Sequence, residues 1–201
     1  CENNILANTE ANINLDWNSS SNKIYSNNIT LSNSSGIIVM HYCYCNCISE
    51  NHIIQNKWAG ICIHYLSGYN VISENNVTDN KFYGICLEWS SNNNNLYGNN
   101  LTNNANGIVI HYSSNNSLHN NCIVTYGNQY GFGFLGLELN HFLHSIDDSN
   151  LVDGKPVYYR VNQQNFTVNS LTYPQVGFLA FINSTNVTVE GLTLTKNRVG
   201  M

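Results

Sequence analysis

Short runs of alternating apolar and polar residues recur down the chain, separated by Asn-rich turns. Within "GICIHY" at 60–65 the alternation points Ile61 and Ile63 to one face and Cys62 and His64 to the other, as in a half-buried strand. The same sentence is written repeatedly as "GIIVMHY", "GICIHY", "GICLEW" and "GIVIHY". Their opening glycines, Gly36, Gly60, Gly84 and Gly107, are spaced 24, 24 and 23 residues apart. An earlier copy reads "ANINLDW", with Ala11 in the glycine place. After each copy comes a polar turn and a second pattern, N-x-I-x-x-N-x-I. It begins at Asn22, Asn46, Asn70, Asn94 and Asn116. No segment sustains a helical period.

Units of 23–25 residues made of short strands and Asn-rich turns predict a parallel β-solenoid. No single coil can bury its own apolar face, so coils stack at ~4.8 Å, the spacing between strands. Stacking creates columns. Ile24, Ile48, Ile72, Leu96 and Leu118 are expected as one aliphatic column. Asn22, Asn46, Asn70, Asn94 and Asn116 make one amide ladder. Asn3, Asn27, Asn51, Asn75, Asn99 and Asn121 make another. Buried amides need their donors and acceptors paired, and an identical amide one coil away does this. The expected organisation is regular coils over 1–130, an irregular rung with a loop or hairpin over 131–175, and a coil over 176–201. "LVDGKPVYY" carries an Asp-Gly turn signal between β-prone runs.

Composition narrows the function. Charged residues make up 9% of the chain and hydrophobic residues 42%, which argues against disorder. Seven Lys and Arg residues and a net charge of −5 leave no basic stripe for nucleic acid. They also disfavour a cationic groove for uronate polysaccharides. No apolar run is long enough to span a membrane as a helix. Seven cysteines are an odd number, so at least one thiol stays unpaired or pairs with another chain. Asn-x-Ser/Thr sequons begin at Asn18, Asn28, Asn33, Asn76, Asn100, Asn115, Asn165, Asn183 and Asn186, compatible with a glycosylated surface protein. A chain this rich in Asn, Ser and Thr also makes sequons by chance.

The units "GICIHYLSGYNVISENNVTDN" and "GIVIHYSSNNSLHNN" resemble parallel β-helix repeats of the NosD or CASH (carbohydrate-binding and sugar-hydrolysis) type. "HSIDDSNLVDGKPVYYRVNQQNFTV" resembles the element that interrupts the coils in archaeal cell-surface members of that group. The resemblance covers nearly the whole chain and implies an all-β, right-handed parallel β-helix. The hand also follows the general rule for parallel crossovers. It implies no single function, because members include surface proteins, carbohydrate-active proteins and a periplasmic accessory protein for copper-site maturation. "KNRVGM" at 196–201 matches the opening of a rung and "CENNI" the middle of one, so both ends are expected to be uncapped. A lipid-modified mature N-terminus at Cys1 fits poorly with regular structure beginning at once.

Two outward columns carry candidate chemistry. One is read as Asn14, Val39, Cys62, Cys86 and Val109; the other as Asp16, His41, His64, Glu88 and His111. Cys62, His64, Cys86 and Glu88 then form a small quadrilateral, and thiolate with imidazole suits zinc or copper. "HYCYCNC" adds Cys43, Cys45 and Cys47, a soft set suited to copper(I). The competing reading is that small thiols merely occupy outward positions, with no cofactor at all. Stacked Cys62 and Cys86 could instead form a disulfide. Trp17, Tyr42, Tyr65, Trp89 and Tyr112 make an aromatic column. Exposed, it is a sugar-stacking strip; buried, it is a corner filler, the reading favoured from sequence. Carboxylates for glycoside chemistry are poorly placed. Asp147 and Asp148 are adjacent, Glu50 and Glu74 share a column, and His141 and His144 read as structural polar residues.

The expectation is a non-catalytic extracellular, cell-surface or periplasmic rod. Its partners are other copies stacked end to end or cell-envelope glycans. A copper- or zinc-binding protein of NosD type and a polysaccharide lyase or hydrolase stand as alternatives.

Overall fold

The computed structural model describes residues 3–127 and 129–195. Cys1 and the rung opening expected at 196–201 lie outside them. The chain winds as a parallel β-helix with three sheets. A six-stranded sheet, called here the first, contains Ile13–Leu15, Ile37–Val39, Ala59–Ile63, Tyr83–Glu88, Asn106–His111 and Tyr130–Leu135. The second runs from Lys23–Tyr25 through Cys47–Ser49, Val71–Ser73, Asn95–Tyr97 and Ser117–His119 to Ser145–Ile146. The third has nine strands. Its first six, Asn4–Leu6 to Cys122–Val124, are parallel neighbours in the regular coils.

The aliphatic column is present in register, Ile24 on Ile48, Ile72, Leu96 and Leu118, and it continues to Ile146. Burying such columns is the main drive for folding, at about 25 cal/mol per Å² of apolar surface. Both amide ladders are present as well. Nδ2 of Asn22, Asn46, Asn70 and Asn94 donates to Oδ1 of the next member at 3.1, 3.1, 3.1 and 3.3 Å. Each interior member is fully satisfied. Oδ1 of Asn70 accepts from the backbone N–H and Nδ2 of Asn46, while its own Nδ2 also donates to the Cys43 carbonyl. The second ladder runs from Asn3 to Asn121 and gains Asn150. A third, not expected from sequence, links Asn56, Asn80 and Asn104.

The glycine column follows from crowding. A Cβ on Gly60 would lie 2.4 Å from Val77 Cγ1 and 2.8 Å from the Gly84 carbonyl oxygen. In the first coil Ile13 pairs with Ile37, so Asn12, not Ala11, stands in that place.

Past Leu135 the wall changes. A 3-10 turn at Leu139–Phe142 and the short strand Ser145–Ile146 lead to Leu151–Val152. That strand turns back through Asp153-Gly154, both at positive φ, into Lys155–Val161 as an antiparallel hairpin. Lys155–Val161 pairs in parallel with Phe178–Ile182, and Gln164–Asn169 with Thr185–Glu190. Between Tyr130–Leu135 and this unit lies an apolar cavity of about 210 Å³, lined by Phe132, Phe134, Phe142, Tyr159 and Phe178 among others.

Candidate functional site

The outer face of the first sheet carries the clearest chemistry. Its pairing puts Ile38, Cys62, Cys86 and Val109 in one outward column. Val39 instead faces the core, beside Ile63. The reason is register, which stays at 24 residues through this coil: Val39 pairs with Ile63, His41 stacks on Tyr65 and Cys43 bonds Ser67, so the extra residue of "GIIVMHY" displaces only its tyrosine from the aromatic place. Met40 therefore stands beside His64, whose N–H bonds the Val39 carbonyl. His41 moves to the corner and leaves the metal-capable column. Its Nδ1 lies 2.8 Å from Asp16 Oδ1.

The column around the two thiols is buried although it faces outward. Cys62 and Cys86 pack with Ala59, Val109, Ile38 and Tyr83. Both are free thiols. Glu88 follows two positions after Cys86, on the same face. The donor atoms of Cys62, Cys86 and Glu88 all lie within 4.8 Å of one another. Among the described residues no other three metal-capable side chains do so. His64 Nε2 stands 3.5 Å from Glu88 Oε2, and His111 Nδ1 stands 3.1 Å from Glu88 Oε1. A groove of about 390 Å³ opens onto Cys62, His64 and Glu88, with Met40, Trp58 and Ser34 on its walls.

Burial and charge set the protonation states. Burial raises the Cys86 thiol well above its ordinary value, with Cys62 and Glu88 adding to the rise. Burial lowers the His64 imidazole, against the opposing pull of Glu88, so the ring is neutral at neutral pH.

Cys43, Cys45 and Cys47 do not converge. Cys43 is a core residue whose Sγ donates to the Met40 carbonyl at 2.9 Å. Ser19 and Ser91 make the same turn bond, to Asp16 and Glu88. Cys43 is thus a turn serine with sulfur for oxygen. Cys45 sits exposed at φ 57°, and Cys47 belongs to the second sheet. The Cys-x-Cys-x-Cys reading fails because a bend, not one strand face, connects the three.

The aromatic column is exposed, which overturns the corner-filler expectation. Trp17 is 66% and Trp89 49% exposed. Trp17 stacks on His41 at 4.7 Å, His41 on Tyr65 at 5.2 Å, and Trp89 on Tyr112 at 4.7 Å, with interplanar angles of 14°, 5° and 22°. His41 has taken the place expected of Tyr42, which is exposed beside the stack. Because the rings lie face to face along the coil axis, they turn their edges to solvent.

The carboxylates have partners. Asp148 makes two 2.7 Å bonds to Arg160. That pairing raises the arginine further, and its guanidinium also lies over Tyr158. Asp147 accepts from the Ser149 N–H at 3.1 Å. His144 occupies the next place in the first amide ladder, after Asn116. Its Nδ1 accepts from the Asn116 N–H at 3.3 Å and its Nε2 lies 3.1 Å from the His141 carbonyl. Burial pushes its imidazole down to about 4. The sequon asparagines are exposed except Asn76, which is half-buried.

The fold is that of a parallel β-helix protein of the NosD type. Residues 1–144 match the family model described as periplasmic copper-binding protein (NosD), and the chain belongs to that family. A search of curated proteins gave no match. Among solved structures the chain is similar to the periplasmic alginate epimerase AlgG. A double mutant matches with a TM-score of 0.65 and 22% identity over 94% of this chain and 43% of that one. The unsubstituted protein matches with a TM-score of 0.61 and 19% identity over 94% and 44%. The chain thus spans less than half the length of these epimerases, and at such identity the likeness is one of fold.

The copper in the family description can be tried against the donors present. Copper(I) prefers thiolate and thioether. The Cys62–Cys86 pair, with Met40 on the groove wall, fits that preference. Glu88, a hard carboxylate in the middle of the cluster, does not.

Proposed function

We propose that this chain is a non-catalytic β-solenoid module of an extracytoplasmic structure, acting as a stiff spacer. One observation carries the reading: the amide ladders run through successive coils, and from Asn46 to Asn94 and from Asn51 to Asn99 every side-chain donor and acceptor is paired. Bending or shearing such a stack breaks buried hydrogen bonds, each costing about 1–3 kcal/mol when left unmade. The outside location rests on two descriptions, the family's and that of AlgG, both of which say periplasmic. The exposed sequons fit a surface that carries glycans. Contact with envelope glycans would use ring edges and polar side chains along the aromatic column, since the ring faces are stacked on each other.

The competing reading is an enzyme acting on a polysaccharide, as the likeness to an alginate epimerase invites. The test is incubation of the purified chain with alginate and other polysaccharides, read by product analysis, alongside amide hydrogen exchange. The expected result is no product, with slow exchange at the ladder amides of Asn46, Asn70 and Asn94. Turnover of any polysaccharide, or fast exchange along the ladders, would overturn the proposal.

A further inference from the structure

Two thiols and a carboxylate converge where two neighbouring coils pair on the outer face of the first sheet, and an imidazole adjoins the carboxylate. Cys62 and Cys86 are cross-strand partners; Glu88 stands two residues further along its strand, and His64 directly follows the end of the strand that holds Cys62. An apolar column has no use for this set. Ile38 and Val109 fill the same column above and below with hydrocarbon alone.

The distances suit a cation. Ligands around a tetrahedral zinc ion, at about 2.0–2.3 Å from the metal, stand about 3.3–3.8 Å from one another. His64 Nε2 and Glu88 Oε2 are 3.5 Å apart, inside that range. The sulfur and carboxylate atoms lie within 4.8 Å of one another, about 1 Å wider than that range. Glu88 is also held from outside. Its other oxygen, Oε1, lies 3.1 Å from His111 Nδ1 on the following coil, which aims Oε2 at His64. Ligating carboxylates are commonly steered by such outer partners.

We propose that Cys62, His64, Cys86 and Glu88 form a four-ligand zinc(II) site, with His111 as a positioning residue for Glu88. The family description names copper, and the two sulfurs alone would suit copper(I). The carboxylate and imidazole half of the set is what selects zinc. The groove beside Trp58 and Met40 reaches three of the four ligands and serves as the entry path. The proposal is independent of the spacer reading, since a stiff rod needs no metal.

The experiment is a cobalt(II) titration of the whole chain, reduced and freed of metal with a chelator. The expected result is sulfur-to-cobalt charge-transfer absorption and tetrahedral visible bands that saturate at one equivalent and are bleached by zinc. Cys86→Val should abolish the charge-transfer signal. It copies the apolar residue that follows in the column, so its circular dichroism should stay that of the folded solenoid. His64→Ala and Glu88→Gln should each weaken zinc binding at least 10-fold. His111→Ala should weaken it about 10-fold through loss of positioning. Cys43→Ser should leave it unchanged. Absence of the charge-transfer band overturns the proposal. So does a band that His64→Ala and Glu88→Gln leave untouched, because the site would then be a thiol pair. Stoichiometric copper(I) binding that is likewise indifferent to Glu88→Gln, with no saturable zinc binding, overturns it in favour of copper.

Discussion

At the scale of single residues, this molecule is governed by whether one side chain can stand in for another within a column. His144 takes the place of the next asparagine in the first ladder, but it satisfies only part of what an asparagine would. It accepts from the Asn116 N–H, while Asn116 Nδ2 is left without a partner. The substitution carries a pH dependence. The folded-state value of His144 is lowered to about 4 from 6.5. Below about 6.5 the unfolded chain therefore binds a proton that the folded chain refuses. Stability is full above that value and falls as pH drops towards 4, by up to roughly 3 kcal/mol. His144→Asn should remove this component and pair Asn116 Nδ2. Denaturant unfolding at pH 7 and pH 4.5 checks it: the variant should lose less stability between the two than the parent. An equal loss in both would show that other groups carry the acid sensitivity. Gly60→Ala is expected to cost about 1–3 kcal/mol by overpacking against Val77 and the next glycine carbonyl, measurable as a fall in Tm.

At the scale of the strand and its ladder, position within the stack decides cost. Asn70 sits mid-ladder with four side-chain bonds, two accepted from Asn46 and two donated, to Asn94 and Cys43. Asn70→Ala strands several buried groups at once and should destabilise by at least ~3 kcal/mol. Asn22→Ala, at the start of the same ladder, leaves only the coil after it short of partners. It should cost about 1 kcal/mol. Comparable losses in chemical denaturation would mean that the ladder is not a cooperative element. Much at this scale was legible beforehand. The 24-residue period places Ile24 on Ile48 and Asn46 on Asn70, because equal coil lengths force equal registers. Counting back from the aromatic residue instead of keeping that period misplaces His41: the 24-residue register puts Met40 beside His64 and His41 on Tyr65. The thiol and carboxylate cluster at Cys62, Cys86 and Glu88 was legible because both coils have the same length from glycine to aromatic. The burial of Cys43 was not, since alternation says nothing about which way a turn residue points. The signal was there in the serines of "EWSSNN" and "HYSSNN" at the same place. The third ladder was missed because Asn56, Asn80 and Asn104 lie in turns of mixed composition.

At the scale of the whole molecule, a solenoid is nearly one-dimensional, so its stability is a sum of coil terms and interfaces between neighbours. The interfaces here are unequal. From Ile13 to Leu135 each interior coil is tied to the next through all three sheets, with ladders at the corners. Beyond Leu135 the first sheet ends at Tyr130–Leu135 and the second at Ser145–Ile146. The following unit joins through the third sheet, by the Leu151–Val152 and Lys155–Val161 hairpin. Among the described residues, Gln164–Asn169 and Thr185–Glu190 pair only with each other, as a sheet of two strands. The apolar cavity of about 210 Å³ lies at this junction, where packed side chains would otherwise add dispersion contacts. Fewer ladder bonds and poorer packing mean a lower free energy of local opening. Native-state hydrogen exchange should therefore show two levels. Amides of Gln164–Asn169 and Thr185–Glu190 should exchange through an opening well below the global unfolding free energy, while Ile61, Ile85 and Ile108 should require global unfolding. A single level across both regions would mean that the hairpin couples the C-terminal unit to the coils as tightly as the ladders couple the coils to one another.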